Sequence, residues 1–169
     1  MMWQNQRVLF YNGVVGMNQD AFNGIVEICQ VHAGRLQWAM TTLSGKAPFS
    51  AETIVQLSDM ELAVFDQFIA RFSKLQDVMG AKFLPAVLEL TYEEGELNTF
   101  IDKLNRLEKI GAITSASQWI KLREMRNQFS HDYPNDPEIQ ASLLNKAFKM
   151  AEQLLNVLKS LILFSNKYL

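Results

Sequence analysis

From Asn18 onward, apolar residues return every three or four positions, and this period limits the possible folds more than any other feature of the chain. Phe22, Ile25, Val26, Cys29, Ala33, Leu36, Met40 and Leu43 line one face of an expected long helix, with Asn18 placed to cap it. "SGKAPFS" breaks that helix, and residues 50–57 suit a short helical turn. Ser58 and Glu61 then form an S-x-x-E capping box, and Leu62, Phe65, Phe68, Ile69, Phe72, Leu75 and Met79 keep the helical spacing. Gly80 and Pro85 predict a kink, after which Phe83, Leu84, Val87 and Leu88 resume the apolar face. Beyond the loop "TYEEGE", Leu97, Phe100, Ile101, Leu104, Leu107 and Ile110 predict a shorter helix stopped by Gly111. Ser115 with Gln118 opens the next helix, and Pro134 is expected to end it, because the residue before a proline is pushed out of the helical region. Asp136 caps a final helix that has Pro137 in its first position and runs to about Phe164.

These elements predict an all-α chain: an antiparallel up-and-down four-helix bundle with an extra short helix, filling a single domain over 17–169. Residues 1–16, "MMWQNQRVLFYNGVVG", form an extension. Two β-prone runs flank Asn12-Gly13 there, a hairpin signal, so the extension is either a hairpin or a disordered prefix, with Met17 as an alternative start. The last helix is apolar on more than one side, at Leu143, Leu144, Phe148, Leu154, Leu155, Leu158, Leu161 and Ile162. One bundle face cannot hide all of these, which predicts that a second copy covers some of them in a homodimer.

The chain is 49% hydrophobic and 20% charged, too apolar for disorder, and its net charge of -2 gives no global basic field. A single cysteine rules out an intramolecular disulfide and a cysteine-based metal cluster, and fits a cytoplasmic setting. Cys29 lies on the apolar face and reads as a small buried hydrophobe, and His32 beside it as a structural histidine. No HExxH, paired CxxC or Gly-rich phosphate loop occurs, so neither a metal nor a cofactor is expected. The most apolar tail, "LLNVLKSLILF", is interrupted by Asn156, Lys159 and Ser160 and falls short of the roughly 20 residues that span a bilayer, and no signal peptide is expected.

The richest chemistry lies in "LREMRNQFSHDYP". On a helix, Arg126 and Ser130 stand one turn apart, Asn127 and His131 form a neighbouring row, and Tyr133 lies nearly two turns beyond Arg126. Arg123 stands one turn earlier, giving a polar strip bordered by Trp119, Ile120, Leu122, Met125 and Phe129. A histidine moves protons near neutral pH, and an arginine holds phosphate through paired hydrogen bonds. Together they suit metal-free cleavage of RNA, in which the 2′-hydroxyl attacks its own phosphate. Arg71 and Lys74 in "RFSKLQD" are further candidates for holding the RNA backbone, or else belong to a solvated helix side. The plain alternative for the whole strip is a histidine beside a helix C-terminus and arginines on a wet face.

"RNQFSHDY" fits R-x4-H-x-Y through Arg126, His131 and Tyr133, with Asn127 directly after the arginine. Together with "DQFIARFSKLQDVMG", "FIDKLNRLEKIG" and "SASQWIKLREMRNQFSHDYP", it resembles the HEPN superfamily, and within it the HepT-like, nucleotidyltransferase substrate-binding proteins. The likeness covers most of residues 19–160. It implies a helical bundle pairing into a homodimer, with Arg126 and His131 of both copies facing one cleft. It also implies a metal-independent endoribonuclease toxin of a toxin–antitoxin pair. The implied partner is a minimal nucleotidyltransferase, an MNT-type antitoxin, that adds AMP to Tyr133. The bulk and charge of that group would block and repel RNA. Asn127, Ser130, Arg123, Arg71 and Lys74 would support RNA binding. Asp132 lowers the local positive potential, and the first sixteen residues have no counterpart in the family. A second function fits the same residues: a non-catalytic nucleotidyltransferase subunit that binds nucleotide or partner protein.

Overall fold

The structure, a computed structural model, describes residues 17–91, 97–131 and 135–169, together with the backbone of 10–11 and 14–15. Two short strands, β1 (Phe10–Tyr11) and β2 (Val14–Val15), pair antiparallel with Phe10 opposite Val15 and Tyr11 opposite Val14. The α-helices among the described residues that follow are α1 (Gln19–Leu43), α2 (Ala51–Val55), α3 (Asp59–Val78), α4 (Leu84–Leu90), α5 (Phe100–Lys109), α6 (Ala116–Gln128) and α7 (Pro137–Ser165).

Local chemistry sets the helix ends. Asn18 Oδ1 accepts the Ala21 N–H at 2.7 Å and caps α1. Ser58 and Glu61 close the reciprocal box that starts α3, and Ser50 with Thr53 does the same for α2. Asp136 caps α7, with Pro137 supplying the first helical residue. Gly111, at φ +79°, ends α5: its N–H bonds the Glu108 carbonyl, and the Ala112 N–H reaches back to Leu107. That pair of bonds needs a left-handed residue, which glycine adopts without a side-chain clash. Near Gly80 and Pro85, where a kinked continuation was expected, the backbone passes through a π turn, Met79–Phe83, that joins α3 to α4. The wider turn absorbs one residue between the two apolar faces.

The helices form a bundle in which α1 packs on α3, α3 on α6, α6 on α7, and α7 back on α1. Trp119, Phe22, Phe68, Phe72 and Phe83 lie fully buried at its centre, each contributing about 2 kcal/mol of apolar burial. A second cluster joins Phe49, Phe65 and Phe148 edge to face under α2. The Asn145 side chain clamps the loop before α2, accepting the Phe49 N–H at 2.7 Å and donating to its carbonyl at 2.8 Å. With α2 held on α7 in this way, part of the apolar excess of α7 is covered within the chain. Leu154, Leu158 and Leu161 are buried, while Leu143, Leu144, Phe148, Leu155 and Ile162 are half-buried against the core. Ile139 and Leu163 on the same helix remain exposed. Among the described residues no helix is long and apolar enough to cross a membrane.

Candidate functional site

Helix α6 turns Ala116, Trp119, Leu122 and Met125 inward and leaves Arg123, Arg126 and Asn127 at the surface. It ends at Gln128, earlier than the expected stop at Pro134. The chain then tightens: the Ser130 N–H bonds the Asn127 carbonyl at 3.0 Å, and the His131 N–H bonds Gln128 at 3.2 Å. Asn and Ser compete poorly for helical geometry and are at home in such terminal turns. His131 is thus no longer on a helical row with Asn127, which corrects the strip drawn from sequence. Phe129 fixes the turn from below, with its ring edge-on to Phe72 at 5.3 Å and to Phe68 at 6.4 Å. Ser130 and His131 are left exposed. Tyr133 and Asp132 lie outside the described residues.

The Arg126 guanidinium is held in place. Nε donates to Asp77 Oδ1 at 2.8 Å and Nη2 to Oδ2 at 2.9 Å, and Nη1 reaches Ser130 Oγ at 3.3 Å. The hydrogen bonds and charge of Asp77 raise Arg126 above the ordinary arginine value. The side chains keep 33% and 49% exposure, so the pair contributes little to stability and acts mainly to orient. A guanidinium has five N–H donors. Three are taken here, which leaves one on Nη1 and one on Nη2, the end-on fork that grips a phosphate. Asp77 was missed in the sequence because it sits on α3, 49 positions from Arg126, and no local pattern links the two.

The supporting residues separate into two groups. Arg123 stacks over the Phe100 ring, 5.5 Å from its centroid, and lines a cleft with Asp77. Arg71 instead belongs to the seam between α1 and α3. Its Nη1 donates to His32 Nδ1 at 3.0 Å, and Nε and Nη2 reach the Gln67 amide oxygen at 2.8 and 3.3 Å. Burial and the nearby Arg71, Lys74 and Arg35 hold His32 below the ordinary histidine value. Lys74 is exposed and stands angularly between Arg71 and Asp77 on α3, as helical spacing requires. Cys29 is fully buried, and burial pushes its thiol up to about 12. Among the described residues no cluster of three or more His, Cys, Asp and Glu side chains could hold a metal ion.

No family model, curated protein or solved structure matches the chain.

Proposed function

We propose that this chain is a HepT-like, metal-independent endoribonuclease of the HEPN kind. The observation that carries the reading is the Arg126 fork: anchored by Asp77, bonded to Ser130, and set one short turn before the exposed His131. In this mechanism the 2′-oxygen attacks phosphorus and the bond to the 5′-oxygen breaks. His131 takes the 2′-hydroxyl proton or supplies one to the leaving oxygen, and Arg126 carries the added charge on the phosphoryl oxygens. Arg123 and Lys74 supply positive potential that Asp77 removes from Arg126. The ring of contacts α1–α3–α6–α7 supports an up-and-down antiparallel four-helix core. The active form is a cytoplasmic homodimer that brings two copies of the site to one cleft. A minimal nucleotidyltransferase partner silences it by adding AMP to Tyr133.

The test is expression of wild type, Arg126→Ala and His131→Ala without a partner, with RNA integrity followed directly. Wild type cuts RNA. Both variants fold and lose at least about a hundredfold in cleavage rate. The Asp77 carboxylate, which offsets the Arg126 charge, favours a second reading as a nucleotide- or partner-binding subunit without catalysis. Intact RNA in all three strains would select that reading.

A further inference from the structure

Beside the Arg126–Asp77 pair lies an open cleft of about 350 Å³, lined by Gln76, Asp77, Gly80, Ala81, Phe100 and Arg123. Gln76 is 4% exposed, yet its side-chain amide has no hydrogen-bond partner among the described residues. Unlike Trp119 Nε1, the Gln76 amide is not shut off from solvent, so the little surface that this residue keeps includes the amide, whose hydration a ligand group can replace. Gly80 keeps the cleft floor bare. A Cβ there would stand 3.3 Å from Trp119 Cζ2 and 3.9 Å from Gln76 Nε2. Opposite, Arg123 and Phe100 stack into a flat cationic and aromatic wall.

We propose that this cleft is a nucleobase subsite for single-stranded RNA, in which Gln76 pairs with a base edge that presents a donor beside an acceptor. A carboxamide places one donor and one acceptor side by side, the complement of the adenine edge, which cytosine shares. Uracil and guanine offer a ring N–H beside a carbonyl, which a carboxamide also meets, so stacking rather than the paired edge sets the preference among bases. The Phe100–Arg123 wall gives the base a stacking surface of the kind that unpaired RNA bases use. Asp77 borders both the cleft and the Arg126 fork, so a base seated here carries its phosphate toward that fork. The proposal rests on the ribonuclease reading only in assigning the base to RNA. Base recognition itself stands on the cleft.

The experiment follows the Gln76 side-chain amide resonances of the full chain by NMR, assigned by their loss in Gln76→Met. Adenosine, cytidine, guanosine and uridine are titrated in turn. All four nucleosides shift the Gln76 amide, the purines at lower concentration than the pyrimidines because they stack over more area. Gln76→Met keeps the melting temperature and weakens adenosine binding by at least about tenfold. Arg126→Ala abolishes RNA cutting and leaves adenosine binding intact. Two results overturn the subsite. One is an unmoved Gln76 amide with every nucleoside. The other is a Gln76→Met protein that melts early and binds adenosine as wild type does, which assigns the amide to the buried Trp119 Nε1–H, itself without a partner. RNA cutting without Gln76 shifts removes the subsite and keeps the nuclease. Gln76 shifts without RNA cutting do the reverse.

Discussion

Two arginines on neighbouring helices, Arg71 on α3 and Arg126 on α6, are used in opposite ways, and the difference comes from single neighbours. Arg71 donates into His32 Nδ1, which accepts only while that nitrogen is unprotonated. Arg126 instead meets a carboxylate that fixes its plane and leaves a fork outward. The His32 contact has a definite pH consequence. Its folded pKa lies below the unfolded value of 6.5, so the unfolded chain binds the extra proton more readily. Stability is therefore full above about pH 7 and falls as the pH drops through the ordinary histidine range. Urea midpoints measured at pH 7.5 and 5.5 will show a fall for wild type and a smaller one for His32→Gln. For Asp77, a positioning role predicts that Asp77→Ala lowers RNA cleavage by about a hundredfold while the melting temperature barely moves, since a surface pair stabilises little. Single-turnover rates at saturating RNA separate that effect from weaker binding.

Helix α3 is the element whose start the sequence reveals and whose use it hides. Ser58 and Glu61 announce the start, because a capping box is a local exchange of bonds across three residues. Ser58→Ala will cost about 1 kcal/mol in chemical denaturation, the usual worth of such a cap. Asp136 with Pro137 and Gly111 were legible for the same reason: each solves a problem of its own few residues. Three features were not legible. The end of α6 at Gln128 depends on Phe129 being held by Phe68 and Phe72, a packing event that periodicity does not encode. The π turn at Met79–Phe83 lies beside the close approach of Trp119 to Gly80 from another helix. The Arg126–Asp77 bond spans two elements. Of the candidate site, the residues on α6 were therefore readable and their anchor on α3 was not. The Cys29 thiol shows what a correct local reading implies. Fully buried and pushed up to about 12, it will react with a thiol reagent at neutral pH only at the rate of unfolding.

At the scale of the whole molecule, the aromatic rings connect the fold to the site. Phe148 on α7 meets Phe49 and Phe65 edge-on and stacks on Phe68 at 4.8 Å. Phe68 in turn meets Phe129, two residues before His131. The same cluster that hides part of the apolar excess of α7 therefore supports the turn carrying the histidine. This is why removing one ring at the far end should be felt at the site. Phe148→Ala will cost about 3 kcal/mol. For a domain of this size that lowers the melting temperature by roughly 10 °C. Below that temperature the variant stays folded, and the comparison that matters is the His131 ring resonances against those of His32. Phe148→Ala will displace the His131 signals and leave His32 near its wild-type position, because His32 is tied to Arg71 and not to the Phe148–Phe68–Phe129 rings. Equal displacement of both would mean that the rings transmit only a general loosening of the bundle, with no particular path to the α6 turn.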